Sequence, residues 1–234
     1  MKINRATIKQ NAKGLISSTK PSPVLVGLVY LGVSMILQVL FDSICGLSNT
    51  YMSSMMKKML ENPNYLPTLP HIGGTGVLLI IAIYLMTMML MAGFSIYCMN
   101  VCQFRKAGFG NLLDGFAIFF KVLWLEILMA IFVYLWSLLL IVPGIIAAYR
   151  YRMALYIMID NPQMSALDCI RASKQMMDGR KGELFVLDLS FLGWYLLTLV
   201  PFVTIWVTPY TEITNVNYYL ALRDMPKPNF DQQI

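Results

Sequence analysis

The stretch WSLLLIVPGIIAAYRYRMALYIMIDNP, residues 136–162, decides the fold. An apolar run breaks at Pro143-Gly144 and resumes as a second apolar run that carries Arg150 and Arg152. The polar sequence Asp160-Asn161-Pro162 then ends it. Pro-Gly is a turn signal, and arginines inside an apolar membrane segment need a partner or water. The stretch therefore predicts a tight membrane hairpin whose arginines depend on the rest of the chain.

The composition of the chain is that of a membrane protein. Of its 234 residues, 58% are hydrophobic and 13% are charged, whereas a soluble domain has about 45–50% apolar and about 25% charged residues. The net charge of +6 comes from basic residues at the ends of apolar runs, where the positive-inside rule places them. We therefore predict an all-α, polytopic membrane helix bundle and no nucleic-acid partner.

Six apolar runs predict six membrane spans within one domain, residues 24–222. The spans are about 24–47, 77–101, 116–142, 145–159, 184–207 and 205–222. The fourth has only 15 residues, which is short for a span of about 17–25. Gly108, Gly110 and Gly115 follow the second span and predict a sharp turn. The distribution of basic residues places both termini, including a polar tail at 223–234, on the cytoplasmic side of a bacterial cell membrane.

Residues 1–20 form a basic segment with helical periodicity. Ile8, Ala12, Leu15 and Ile16 recur at helical spacing among lysines and an arginine, which indicates an amphipathic helix on the inner membrane surface. A solvated basic tail is the alternative.

A second surface helix is predicted between the fourth and fifth spans. Ser165 and Asp168 form a capping box, and Asp178-Gly179 ends the helix. Its apolar positions are predicted to face one way, at Leu167, Ile170 and Met177.

Several motifs together resemble one bacterial family. They include LWSLLLIVPGII (135–146), ASKQMMDGRKGELFVLDLSFLGW (172–194) and PYTEITNVNYYLAL (209–222). The chain is similar to the integral membrane family known as domain of unknown function 975. This resemblance implies a six-span bacterial membrane protein, loosely similar to the membrane domain that accompanies some glycerophosphodiester phosphodiesterases. It implies no established activity, so no catalytic residue is assigned from it.

The charges inside the apolar runs are the candidate ligand-binding residues. A helical rise of about 1.5 Å per residue places Arg150 about 9 Å, Arg152 about 12 Å and Glu212 about 10 Å from the outer side. We predict that one arginine pairs with Glu212 and that the other faces a polar cavity and binds an anionic head group or carboxylate. One stripe of the last span would line this cavity: Thr208, Thr211, Asn215 and Tyr219. Alternatively, the ion pair only fixes the packing, and the second arginine extends toward the interface.

Two acidic residues lie near the inner ends of their spans. Glu126 and Asp188 are expected to pair there with basic residues: Lys121, Arg180 or Lys181. Neither belongs to a recognisable catalytic constellation of nucleophile and base, so we expect no enzyme activity.

Metal and cofactor sites are not expected. The cysteines, Cys45, Cys98, Cys102 and Cys169, lack zinc-ligand spacing with the single histidine, His71, and further ligands for a metal site are missing.

Three functions fit these observations. The first is a non-catalytic membrane adaptor that binds anionic lipid, a protein partner or a second copy of the chain. The second is a small transporter, or a transporter subunit, that moves an anionic or amphipathic solute past Arg150, Arg152 and Glu212. The third is protection against membrane-active peptides. A filled interior favours an adaptor, whereas a continuous polar cavity favours a transporter.

Overall fold

A computed structural model of the chain describes residues 3–47, 49–62, 72–198 and 201–225, and this part of the chain contains twelve α-helices and no strand. The helices are α1 Arg5–Ser18, α2 Pro23–Ile44, α3 Asn49–Glu61, α4 Gly74–Cys102, α5 Asn111–Ala117, α6 Phe119–Leu139, α7 Ile141–Tyr151, α8 Ala154–Asp160, α9 Ala166–Met176, α10 Lys181–Leu189, α11 Leu192–Leu197 and α12 Pro201–Arg223. The all-α class is therefore confirmed. His71 and the tail beyond residue 225 lie outside the described residues.

Three helices are long and apolar enough to cross a membrane: α2, α4 and α6. They correspond to the first three predicted spans, and much of their surface carries exposed apolar side chains, as lipid-facing helices do. The remaining three predicted spans fall on α7 with α8, on α10 with α11, and on α12, which are interrupted or carry more polar residues. That these segments also cross the membrane, and on which side the termini lie, stay predictions.

The hairpin between α6 and α7 reverses one turn earlier than the sequence predicts. Leu140 is extended (φ −164°, ψ 151°) and makes the reversal, while Pro143 and Gly144 lie in the first turn of α7. Proline is tolerated there because the first N–H groups of a helix need no intrahelical acceptor. A Cβ on Gly144 would lie 2.0 Å from Ser137 Oγ and 2.9 Å from Ser137 Cα. Gly144 therefore lets the two arms approach closely instead of forming the turn.

The second arm of the hairpin is longer than predicted and is interrupted. It starts at Ile141, not at residue 145, and the helix breaks at Arg152-Met153 before α8 continues to Asp160. The Ser173 hydroxyl, on α9, donates to the Arg150 carbonyl (2.8 Å) and accepts from the Met153 amide (3.2 Å). Ser173 thus satisfies backbone groups that the interruption frees.

The bounds predicted for the last two spans, 184–207 and 205–222, do not coincide with the ends of helices. The chain breaks between α10 and α11 at Ser190-Phe191, and α12 already begins at Pro201. Pro209 lies inside α12 and packs on α2 at Gly27, where a Cβ would lie 3.4 Å from Pro209 Cδ.

The second half of α4 is the centre of the packed interior, with Met89, Phe94, Tyr97 and Met99 almost inaccessible. Helices α2, α5 and α12 all pack against α4. The crossing with α5 is the tightest of these contacts. A Cβ on Gly93 would lie 2.2 Å from the Leu112 carbonyl oxygen, which only a glycine permits.

Helix α1 confirms the helical periodicity of the basic N-terminal segment. Asn4 caps it through Oδ1, which accepts from the amides of Ala6 (3.0 Å) and Thr7 (3.4 Å). Ile8 and Ala12 are buried, and α1 packs along α12. The segment is therefore a docked helix and not a solvated tail.

Helix α9 begins as predicted, since Ser165 Oγ accepts from the Asp168 amide at 3.2 Å. It ends before Gly179, which has a positive φ of 69°. Its predicted apolar face is partly wrong: Ile170 and Met177 are buried, but Leu167 is 43% exposed.

Candidate functional site

Glu212, at the centre of α12, lies in a network of hydroxyl groups. The Ser95 hydroxyl from α4 donates to Glu212 Oε1 at 2.7 Å, and the Tyr156 hydroxyl from α8 donates to the same oxygen at 3.1 Å. The ion pair with Arg150 or Arg152 is not formed, because no guanidinium of the described residues lies within 4.0 Å of this carboxylate. The predicted location of Glu212 inside the bundle is right, and its predicted partner is wrong.

Arg152 and Arg150 have different surroundings. Asp188, Glu212 and the hydroxyls of Tyr156 and Tyr195 act electrostatically on Arg152, although its side chain keeps an accessible surface. The Nε of Arg150 is buried and has no hydrogen-bond partner among the described residues. Arg150 and Arg152 lie two residues apart at the end of α7, and helical spacing of two points their side chains in different directions.

The other residues of the predicted cavity stripe are used inside the protein. Thr211 donates to the backbone carbonyls of Val207 (2.9 Å) and Thr208 (3.0 Å). Asn215 is 6% exposed and Tyr219 is 1% exposed. In the described part of the chain, Asn215 and Tyr219 are therefore packed inside the protein and line neither of the two grooves described below.

The predicted inner-face ion pairs of Glu126 and Asp188 are also absent from the described part of the chain. Asp188 accepts a hydrogen bond from the Tyr149 hydroxyl at 3.0 Å, and Glu126 forms no ion pair there. Their expected partners are used elsewhere: Lys121 donates to the Pro162 carbonyl, Arg180 pairs with Glu183, and Lys181 pairs with Asp178.

A second polar network surrounds Asp160, which the sequence marked only as the end of a span. Its carboxylate accepts from Gln103 (3.0 Å), Tyr219 (3.0 Å) and Arg223 (2.9 Å), and its side chain is only 9% exposed. Burial raises the pKa of Asp160, but these three hydrogen bonds and the charge of Arg223 outweigh burial and lower that pKa below its ordinary value. Asp160 therefore joins the ends of α4, α8 and α12 as a carboxylate.

The hydrogen bond from Tyr156 to Glu212 gives a testable expectation. Tyr156→Phe keeps the ring that packs near Tyr219 (centroids 5.9 Å apart) and removes only the donor. A hydrogen bond to a charged group contributes about 1.5–3 kcal/mol, so we expect that loss in the free energy of unfolding, measured by chemical denaturation in detergent. Tyr134→Phe, on a side chain that is 66% exposed, is the control with a change below about 0.5 kcal/mol. Equal effects of the two substitutions contradict a role for this bond.

A group of basic residues lies on and beside α1. Lys9 Nζ lies 4.1 Å from the centroid of the Phe191 ring and donates to the Ser190 carbonyl at 3.2 Å. Lys13 Nζ lies 5.9 Å from the centroid of the Tyr210 ring. Burial, with the neighbouring charges of Lys13 and Arg5, lowers the pKa of Lys9. The cations attach α1 to α12 and to the chain between α10 and α11 through aromatic rings rather than through acids.

A groove with a volume of about 670 Å³ lies beside α1. Its walls come from α1, the start of α2, α11 and the first turns of α12. Trp194, Trp206 and Leu25 supply apolar surface, and Lys13 is the only charged residue among the described residues that line it. A second groove of about 450 Å³ lies between α6 and the start of α9 and includes Lys121 and Trp124.

No group of three potential metal ligands occurs among the described residues. The four cysteines are buried and form no disulfide. Neither polar network combines the ligands that a metal ion needs.

These features define an all-α protein with three helices suited to cross a membrane, two internal polar networks and a basic helix docked beside an apolar groove. The chain belongs to the family described as protein of unknown function (DUF975), which matches residues 1–148 and 138–225. No curated protein and no solved structure gives a significant match. The similarity to the membrane domain of glycerophosphodiester phosphodiesterases stays a prediction.

Proposed function

We propose that this protein is a non-catalytic membrane adaptor that holds anionic lipid at the basic face formed by α1. The observation that carries the proposal is that the cations of this face lack acidic partners. Asp42 is the first acidic residue in the chain, and no cation of the described N-terminal segment forms an ion pair with a described residue: Arg5, Lys9, Lys13 and Lys20.

The docking of α1 makes these cations suited to a lipid surface. Each lysine or arginine near an anionic leaflet contributes about 1 kcal/mol of attraction. Because Ile8 and Ala12 attach α1 to the bundle, its charges are held in place, and less ordering entropy is lost when lipid binds. The helix lies directly before α2, a candidate span, so its cations lie at one end of a membrane-crossing segment.

The filled interior supports an adaptor over a transporter. Ser95 and Tyr156 occupy the surroundings of Glu212, and Gln103, Tyr219 and Arg223 occupy those of Asp160. Hydroxyl groups stabilise the Glu212 carboxylate, and Arg223 stabilises that of Asp160, so neither carboxylate needs a solute as its hydrogen-bond partner.

The thermal stability of the purified protein in the presence of lipid tests this proposal. A ligand that binds only the folded state increases the free energy of unfolding, by about 2.7 kcal/mol when its concentration is 100 times Kd, and the unfolding midpoint rises as a result. We expect phosphatidylglycerol to raise the midpoint more than phosphatidylcholine with the same chains, and added salt to reduce the difference by screening. Equal stabilisation by the two lipids at low salt contradicts the proposal.

A further inference from the structure

We propose that the groove beside α1 binds one acyl chain of an anionic phospholipid, with the acidic head group on Lys13. This inference rests on the proposed function, because the same leaflet supplies the lipid. The proposed function needs only electrostatic attraction between α1 and a membrane surface, whereas the groove provides a defined binding site for one lipid molecule. The groove's volume of about 670 Å³ lies within the range of about 300–1,000 Å³ of typical ligand pockets.

The lining of the groove has the polarity of an amphiphile. Trp194, Trp206 and Ile16 form apolar walls, and Ser17 and Ser22 also line the groove. Lys13 adds one positive charge, which has no ion pair with a described residue. A ligand that satisfies both parts has a hydrocarbon chain and a negatively charged head group.

The location of Lys13 fits a head group at the edge of the groove. Its ammonium lies over the Tyr210 ring, 5.9 Å from the centroid, and the side chain is otherwise exposed. A cation held by an aromatic ring retains hydrogen-bond donors for an anion. Tryptophan side chains are enriched at the level of lipid head groups, and Trp194 and Trp206 provide that environment here.

The groove is also open to the hydrocarbon region that would supply the chain. Leu25 is 55% exposed, Trp206 is 61% exposed and the neighbouring Phe202 is 78% exposed. Leu25 lines the groove and belongs to α2, a candidate span, so exposed apolar surface of that helix borders the groove. A phospholipid in the bilayer can therefore place one chain in the groove without leaving the membrane.

Fluorescence quenching by brominated lipid tests the site directly. Replacing Trp124 and Trp136 of α6 by phenylalanine leaves Trp194 and Trp206 as the only tryptophans in the chain. In micelles of a neutral detergent, we expect phosphatidylglycerol with brominated acyl chains to quench this fluorescence. We expect unbrominated phosphatidylglycerol to reverse the quenching and phosphatidylcholine to leave it unchanged.

Lys13→Gln should raise the phosphatidylglycerol concentration at half-maximal quenching about tenfold, because the substitution removes one charge-assisted hydrogen bond to the head group. Ser17→Phe fills the groove without changing charge and should weaken binding at least as much. Lys57→Gln, a cation on α3 at the far end of α2, is the control with no change. Thermal unfolding confirms that each variant is folded, and Lys13 and Ser17 are both exposed.

Three results overturn the site: unchanged quenching in Lys13→Gln, unchanged quenching in Ser17→Phe, or equal competition by phosphatidylcholine. Competition by oleate but not by phosphatidylglycerol also overturns it, since the ligand would then be a free fatty acid. Arg5→Gln with Lys20→Gln leaves the groove intact. Its effect on lipid retention decides the proposed function separately from the groove.

Discussion

Gly93→Ala should lower the free energy of unfolding by about 3 kcal/mol, because the added methyl group has no space between α4 and α5. Its Cβ would lie 2.2 Å from the Leu112 carbonyl oxygen and 2.6 Å from the Leu112 carbonyl carbon. These are backbone atoms, so no side-chain rotation relieves the overlap. In a chain of this length, the loss corresponds to a fall in the unfolding midpoint of roughly 6–12 °C, measured by thermal denaturation in detergent.

Gly14→Ala is the matched control for this substitution. Gly14 also lies inside a helix, α1, but no atom lies within 4 Å of a Cβ placed there. Alanine is favoured over glycine in a helix by about 1 kcal/mol, so this variant should be neutral or slightly more stable. Similar midpoints for the two variants would show that α4 and α5 do not cross as closely as described.

Asp160→Asn should be the second most damaging substitution, with a loss of about 2 kcal/mol in the free energy of unfolding. The change removes the charge that Gln103, Tyr219 and Arg223 share. Arg223, which is 38% exposed, then keeps only its ion pair with Asp224. The measurement is the free energy of unfolding at neutral pH. Asp178→Asn is the control, because Asp178 is 78% exposed in its pair with Lys181 and surface pairs contribute about 0–1 kcal/mol.

The pH dependence of the free energy of unfolding tests whether Asp160 is ionised in the folded protein, because the direction of its pKa shift determines where stability is lost. Its pKa is lower in the folded protein than the ordinary aspartate value of about 3.9. Its stabilising contribution is therefore complete above the unfolded pKa and is lost as pH falls through the folded pKa. The difference between wild type and Asp160→Asn should be constant above about pH 5 and should shrink below about pH 4. A difference that grows on acidification contradicts an ionised Asp160.

The sequence predicted the helical class, the three candidate spans and the basic surface helix because these depend on composition and periodicity. It also predicted that the polar residues of α12 lie inside the bundle, since lipid cannot satisfy them. It misplaced the hairpin turn because Pro-Gly is a turn signal in loops, while proline is also accepted in the first turn of a helix. The glycine pattern likewise predicts a turn at Gly115, whereas Gly115 lies in α5, where a Cβ would be 2.2 Å from the Met89 carbonyl oxygen.

The partners of the internal charges could not be predicted from helical spacing. Depth along a helix placed Glu212 level with Arg150 and Arg152, but it says nothing about the side chains that neighbouring helices bring there. Ser95 and Tyr156 come from α4 and α8, and their hydroxyl groups occupy the surroundings of the Glu212 carboxylate. Asp160 was interpreted as a helix end because its three partners are distant in sequence.

The measurement that most directly tests the central claim is native mass spectrometry of the lipid retained by α1. Arg5→Gln with Lys20→Gln removes two exposed cations of the basic face, and Lys57→Gln with Lys58→Gln removes two cations from α3, with the same change in net charge. We expect wild type and the α3 variant to retain phosphatidylglycerol equally. The α1 variant should bind it about thirtyfold more weakly, because two such contacts contribute about 2 kcal/mol. Equal retention by all three proteins would contradict the claim that the cations of α1 hold anionic lipid.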